Sequence, residues 1–228
     1  MLITACPVWA EDVVVAYDEY PPLNYTENGE ARGDVIDRVR EAGRRLGVTP
    51  IFVKQPFVRA IQEVAFRGVD GILSVVKTEE REKYLHYPTL AHFFDGPALF
   101  AHVNSGVCVS SLAETKGLNI GVIRGYRYGE GVLDSVAGNI HFVKDGETLY
   151  KMLVERRFDL GLGYRQLGTY YLDRLPGGKQ VKIVLPFPQL PMYFVFAKKL
   201  GSRGKELAER FSVEMQRIQE ERDTRPSR

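Results

Sequence analysis

The 228-residue sequence contains little cysteine and little histidine. Its two cysteines, Cys6 and Cys108, lack the companions of a zinc site. A disulfide bond between them is possible, although nothing in their spacing supports one. The histidines are scattered without the spacing of metal ligands; they are His86, His92, His102 and His141. We therefore expect neither a metal nor another cofactor.

Long apolar runs and charge of one sign are missing as well. No apolar stretch reaches the roughly 18 residues that a membrane-spanning helix needs. The 31 basic and 29 acidic residues are mixed along the chain and leave a net charge of +2. Because nucleic-acid-binding proteins typically carry a basic run or stripe, we expect no nucleic acid partner. The 44% hydrophobic and 26% charged residues are ordinary for a globular chain of one large or two small domains.

The first residues resemble part of an export signal. The pattern Val8-x-Ala10 is typical of a signal-peptidase site, although the basic region that usually begins a signal peptide is missing. We interpret residues 1–12 as the remnant of a signal peptide or, alternatively, as an N-terminal arm. The first interpretation predicts a periplasmic protein. Residues 3–6 also resemble a lipobox, which would add a lipid anchor at Cys6.

Short β-branched runs alternate with segments of helical spacing, which predicts right-handed crossovers and a largely parallel sheet. A second series of strands and helices begins at residue 118. Strands or extended runs are predicted at 13–17, 51–54, 70–76, 96–103, 118–123, 140–143, 158–163, 181–184 and 192–197. Helices are predicted at 35–46, 57–67, after residue 129, at 145–157, at 164–175 and near the C-terminus, where the polar tail 220–228 should fray.

The stretch 68–88 organises the predicted site. An apolar strand ends at Val76, and Thr78 then has the position of a helix N-cap, with Arg81 in the first turn. In an open α/β sheet, ligands bind in the crevice beyond the carboxyl ends of the strands, so the hydroxyls of Ser74 and Thr78 and the guanidinium of Arg81 should face it. Alternatively, Arg81 pairs with a neighbouring acid on a solvated helix.

A second wall is predicted after the first strand. The loop that contains Asp18 and Tyr20 is stiffened by two prolines, and its tyrosines suit a small-molecule pocket. Alternatively, these tyrosines cap the core. We interpret Phe57 as packing at a helix N-terminus rather than as a ligand contact.

Three stretches resemble the extracellular solute-binding proteins of family 3, which have the type II periplasmic-binding-protein fold. They are residues 20–23 with Gly33-x-x-x-Asp37, residues 57–70 followed by Thr78-x-x-Arg81, and residues 120–125. The resemblance implies an α/β fold of two lobes, each a mostly parallel sheet flanked by helices, joined by two hinge crossovers. By analogy, lobe 1 should contain residues 13–103 and 197–228, and lobe 2 should contain residues 104–196.

The resemblance also implies ligand contacts. In the family's amino-acid binders, the arginine of Thr-x-x-Arg holds the ligand α-carboxylate, which implies that role for Arg81; a guanidinium offers a planar donor fork for a carboxylate. Arg124, Gly125 and Tyr126 stand where the second lobe presents backbone N–H groups and hydroxyls to the same carboxylate. Alternatively, Arg124 is a surface charge.

One position departs from the family pattern. Amino-acid binders place an acid for the ligand ammonium five residues after the aspartate of a late second-lobe strand, and counting from Asp159 gives Tyr164. A cation without a counter-charge in a closed cleft is costly. An ordinary α-amino acid is therefore expected only if Asp18 or Glu19 compensates. Otherwise the hypothesis is a small carboxylate or another polar metabolite stacked on tyrosines.

The resemblance implies a monomeric, non-enzymatic protein that delivers a small solute to the permease of an ABC importer. A ligand-sensing module for a membrane receptor is the alternative within the same fold. Some relatives of the fold are dehydratases, but an enzyme needs an acid–base pair in the cleft, and Asp18 with Glu19 is the only obvious candidate pair.

Overall fold

The computed structural model describes residues 11–66 and 68–224. The predicted signal-peptidase pattern and the lipobox cysteine lie outside the described residues. Residues 11 and 12, which the sequence assigned to the N-terminal arm, begin the first strand.

The described residues form thirteen strands and six α-helices. The strands are β1 (Glu11–Tyr17), β2 (Tyr25–Glu27), β3 (Glu30–Arg32), β4 (Val48–Lys54), β5 (Gly71–Val76), β6 (Leu85–His86), β7 (Phe93–Asp95), β8 (Pro97–His102), β9 (Asn119–Ile123), β10 (Asn139–Val143), β11 (Leu160–Tyr164), β12 (Val181–Pro186) and β13 (Leu190–Ala197). The helices are α1 (Asp34–Leu46), α2 (Phe57–Phe66), α3 (Glu79–Glu82), α4 (Gly146–Val154), α5 (Arg165–Arg174) and α6 (Gly201–Asp223).

Two mixed sheets organise these elements. The first has the order β4-β1-β5-β13-β6, with β7 also paired to β13, and the second has the order β10-β9-β11-β8-β12. β1 runs parallel to β4 and β5, and β9 runs parallel to β10 and β11. β13 and β8 run antiparallel to their neighbours. The two-lobed α/β architecture is confirmed, but each sheet is mixed because it receives a strand from a crossover.

Local signals account for the element ends. Gly47 ends α1 in the left-handed conformation with φ of 70°, which glycine adopts without a Cβ penalty. Thr78 precedes α3 and its hydroxyl accepts a hydrogen bond from the backbone N–H of Arg81. Asp145 does the same for the N–H of Thr148 at the start of α4. The predicted N-cap at Thr78 is confirmed.

Two local predictions are wrong. Residues 130–135 form turns and no helix follows them before β10, because Gly129 and Gly131 have φ of 108° and 66°, outside the helical region. The C-terminal helix continues to Asp223 instead of fraying from residue 220. Arg222 pairs with Asp34 of α1 at 2.6 Å, so charge pairing with a neighbouring helix orders this polar turn.

Two strands pair with the sheet of the other lobe from the one to which the ranges expected by analogy assign them. β8 pairs with β11 and β12 in the second sheet, although it falls inside the range 13–103. β13 pairs with β5 in the first sheet, although it largely precedes residue 197. Each strand follows a crossover and pairs with the sheet that it enters. By sheet membership, the chain changes sheet near residue 96 and again between residues 186 and 190.

The buried apolar side chains of both sheets belong to one cluster, and the rings of Tyr20, Tyr126 and Tyr164 lie near one another where the sheets meet. Within the described ranges, none of the helices combines the length and the apolar character needed to cross a bilayer.

Candidate ligand-binding site

The Arg81 side chain connects the two sheets. It lies at the start of α3, beyond the carboxyl end of β5, and the residue is only 4% exposed. Its Nη1 donates to the carbonyl oxygen of Val76 at 2.8 Å, and its Nη2 donates to the carbonyl oxygen of Gly125 at 2.9 Å. The guanidinium carbon lies 5.1 Å from the centre of the Phe57 ring. A single cation thus bonds to both halves of the molecule.

Arg81 is a buried cation that has no carboxylate partner among the described residues. No carboxylate in the described ranges lies in ion-pair contact with it; the adjacent acid Glu82 pairs with Lys77 at 2.8 Å instead. Burial lowers the pKa of the Arg81 guanidinium, although it remains charged. Since a buried charge is costly without a partner, an anion that reached Arg81 would gain a strong charged contact.

Asp18 and Tyr126 form a second link across the seam. The Tyr126 hydroxyl donates to Asp18 Oδ2 at 2.5 Å, and both residues are buried. Burial raises the pKa of Asp18 to about 6, and the hydrogen bond from Tyr126 offsets part of that rise. Asn24 Nδ2 donates to the Asp18 carbonyl oxygen at 2.9 Å and fixes the loop. This carboxyl therefore changes its charge close to neutral pH.

Tyrosine rings fill most of the seam. Tyr20 donates its hydroxyl to Asp95 Oδ2 at 2.8 Å, and its ring lies 6.3 Å from that of Tyr126 and 5.9 Å from that of Tyr164. The Tyr164 hydroxyl donates to the carbonyl oxygen of Arg127. The cavity left among these groups measures about 10 Å³, roughly the room that one water molecule needs. Its lining residues are Tyr20, Phe57, Ser74, Val76, Arg81, Tyr126, Arg127, Tyr164 and Met192.

The two predicted hydroxyls have different positions. Ser74 lines the cavity with a left-handed φ of 61°, which is uncommon for a residue other than glycine, and its Oγ donates to Asn24 Oδ1 at 2.6 Å. Thr78 does not line the cavity. Its Oγ1 accepts from the Arg81 backbone N–H at 3.3 Å, so it positions the arginine.

The second-lobe residues are also divided. Tyr126 and Tyr164 line the cavity, and Gly125 contributes its carbonyl oxygen to Arg81. Arg124 is exposed, and its guanidinium lies 5.4 Å from the centre of the Phe142 ring, away from the cavity. This placement agrees with the alternative interpretation of Arg124 as a surface charge. Its backbone N–H donates to the carbonyl oxygen of Val143 on the edge strand β10.

Several residues of this site escaped the sequence analysis. Phe57 does pack at the start of α2, as expected, but its ring also lies against Arg81 and lines the cavity. Asn24 lies in the predicted loop, two residues after the second proline, and was detectable there as a polar residue. Met192 comes from β13, more than a hundred residues after β5, and no local pattern connects it with Arg81.

Among residues 11–66 and 68–224, no group of three histidine, cysteine, aspartate or glutamate side chains is placed to hold a metal ion.

The sequence matches the bacterial extracellular solute-binding proteins, family 3, over residues 13–223. The chain belongs to this family. The match covers both sheets of this family 3 protein and confirms the resemblance carried by Thr78-x-x-Arg81 and the other stretches. No curated protein matches the chain.

Solved structures share the fold of this family 3 protein. A histidine kinase sensor domain with similarity to periplasmic binding proteins has a TM-score of 0.82 at 16% identity, covering 94% of this chain and 93% of that one. The arginine-bound form of truncated ArgBP from T. maritima has a TM-score of 0.75 at 18% identity, with 91% and 96% covered. An ancestral amino acid-binding protein, a precursor of cyclohexadienyl dehydratase, has a TM-score of 0.77 at 18% identity, with 92% and 89% covered. At these identities the likeness establishes the type II periplasmic-binding-protein fold.

Proposed function

We propose that this protein binds a small, polar, carboxylate-bearing solute between its two lobes and delivers it to an ABC importer. The observation that supports this best is Arg81, a buried cation on the inter-lobe seam with two of its five N–H groups bound to carbonyl oxygens. The remaining N–H groups suit a carboxylate, and the tyrosines around them suit the rest of a small solute.

The solute is an amino acid or a related metabolite, and we assign Asp18 as the counter-charge of its ammonium group, where one is present. Tyr164 carries no charge and already donates its hydroxyl to a backbone carbonyl. Asp18 is the buried acid that contacts Tyr126, a residue of the cavity lining. Because the pKa of Asp18 is about 6, its charge is available at neutral pH and is lost in acid. We expect ammonium-bearing solutes to lose affinity below pH 6, whereas simple carboxylates should not.

Ligand entry requires the two lobes to separate. We propose that lobe 1 comprises residues 11–95 and 190–224, that lobe 2 comprises residues 97–186, and that the crossovers between them act as hinges. Opening would break the Arg81–Gly125 and Tyr126–Asp18 hydrogen bonds, which cross the seam. A solute that contacts both lobes favours the closed state by its differential affinity.

Titration calorimetry with a panel of amino acids and organic acids tests the carboxylate site. The Arg81→Met variant keeps an apolar stem over Phe57 but removes the cation. Since a charged hydrogen bond contributes about 1.5–3 kcal/mol, we expect affinity to fall about 10- to 150-fold. Arg124→Met is the matched control, because this exposed arginine does not line the cavity, and it should bind as the unchanged protein does. Equal affinity of both variants for every panel member would refute the role of Arg81.

Sensing is the second candidate, because the sensor domain of a histidine kinase has the same fold over nearly the whole chain. Uptake and signalling make different predictions for cells that lack this protein. Transport predicts that uptake of the bound solute falls. Unchanged uptake, combined with loss of a transcriptional response to the solute, would favour sensing.

We further propose that the protein is not an enzyme and that it is exported to the periplasm, in keeping with a family described as extracellular. Mass spectrometry should recover the bound solute chemically unchanged after prolonged incubation; a product of altered mass would contradict the binding-only proposal. Fractionation should find the protein outside the cytoplasm. The monomeric state stays a prediction.

A further inference from the structure

A groove adjoins the cavity and shares three of its residues. It measures about 320 Å³, against about 10 Å³ for the cavity. Phe57, Arg81 and Arg127 line both. The groove therefore adjoins the candidate site at these three side chains, and its volume falls within the range of about 300–1,000 Å³ that is typical of small-molecule pockets.

One wall of the groove is apolar. Helix α2 contributes Val58, Ile61, Ala65 and Phe66. The Phe66 residue is 77% exposed, and its ring centre lies 6.1 Å from that of Tyr84, which also lines the groove. This wall offers apolar contact area to a group that enters the groove.

The floor of the groove is cationic. Arg81 and Arg127 border it together with one acid, Glu80, which already pairs with Arg127 at 3.3 Å. One positive charge is therefore left over among the residues that line the groove. An apolar wall beside an uncompensated guanidinium complements a molecule with an anionic end and an apolar end.

We propose that this groove is a subsite for the apolar end of the ligand and that the solute class is an aryl or branched-alkyl carboxylate. Its carboxylate contacts Arg81 and Arg127, while its ring or alkyl group lies against Ile61, Ala65 and Phe66. This inference rests on the proposed function, because it uses the same arginine. It adds that the apolar end of the ligand lies in this groove, beyond the tyrosine-lined cavity, which has room for little more than a water molecule.

Three probes separate the contributions of charge and apolar surface in calorimetry. The probe 3-phenylpropionate carries both groups, propionate carries only the carboxylate, and 3-phenyl-1-propanol carries only the ring. We expect 3-phenylpropionate to bind at least 10-fold more tightly than either of the others. Propionate binding as tightly as 3-phenylpropionate would overturn the groove assignment.

Two matched phenylalanine variants then locate the ring. Phe66→Ala should weaken binding of 3-phenylpropionate at least 5-fold without changing that of propionate. Phe94→Ala is the control, because Phe94 is also exposed, at 53%, but does not line the groove. If Arg81→Met abolishes binding while Phe66→Ala has no effect, the groove proposal fails and the proposed function stands. If no carboxylate in either panel binds, both proposals fail.

Discussion

Replacing Asp18 by asparagine should remove a pH dependence from the stability of this protein. The Asp18 carboxyl is buried on the seam and accepts a hydrogen bond from Tyr126. Burial raises its pKa from the ordinary value of 3.8 to about 6. Between these two pH values the folded chain holds a proton that the unfolded chain releases, so the contribution of Asp18 to stability falls as the pH rises through this window.

The size of the effect follows from the change in pKa. Each pKa unit corresponds to about 1.36 kcal/mol, so a rise from 3.8 to about 6 costs the folded state about 3 kcal/mol once Asp18 is ionised. Asparagine keeps an oxygen that accepts the Tyr126 hydroxyl but never ionises. The Asp18→Asn variant should therefore gain up to about 3 kcal/mol more, relative to the original protein, at pH 7.5 than at pH 4.

Urea denaturation followed by circular dichroism at both pH values measures this difference directly. Titrations of other groups cancel, because the original protein and the variant share them. Asp173→Asn is a matched control, because it removes an exposed carboxylate from α5 instead of a buried one. A free-energy difference for Asp18→Asn that is the same at pH 4 and pH 7.5 would refute the burial argument.

Two further substitutions test other parts of the structure. His92 is buried with no hydrogen bond to either ring nitrogen, and burial followed by the charge of Arg38 holds its pKa well below the usual range. His92→Leu should therefore raise the free energy of unfolding by about 1–3 kcal/mol, and by more below about pH 6.5, where only the unfolded original chain takes up a proton at His92. Urea denaturation at pH 5 and pH 8 measures the gain at the two pH values. A gain that is smaller at pH 5 than at pH 8 would contradict this prediction. Gly125 and Gly117 both have φ of 81°, but only at Gly125 would an added Cβ meet a neighbour, Val58 Cγ2 at 2.6 Å across the seam. Both alanine variants should lose about 1–2 kcal/mol of stability from backbone strain. Only Gly125→Ala should also weaken solute binding in calorimetry. Equal solute affinities of the two variants would argue against close packing across the seam at Gly125.

Much of the architecture could be predicted because its signals are local. Helix α1 was readable from the spacing of its apolar residues and from Gly47 after its last turn. The start of α3 was readable from Thr78, whose hydroxyl binds a backbone N–H three residues later. Caps and amphipathic spacing depend on neighbours within one or two helical turns, so a single sequence contains them completely.

The site could be predicted only in part. Arg81 was identifiable because it follows a strand and a cap, and Tyr164 because it replaces an acid in the family pattern. The departures from prediction have causes of two kinds. Glycines at positive φ prevent a helix after residue 129, which is a local effect. The C-terminal turn is ordered by an ion pair between Arg222 and Asp34, which lie far apart in the sequence.

By itself, the sequence determined most of the longer elements, the family resemblance and the identity of the central cation. Only the tertiary structure decided what that cation meets, because Gly125 approaches Arg81 from the other sheet and Tyr126 reaches Asp18 across 108 residues of chain. It also decided which sheet receives β8 and β13. Strand pairing and seam contacts depend on how distant segments are brought together, and no periodicity within one segment records its distant partner.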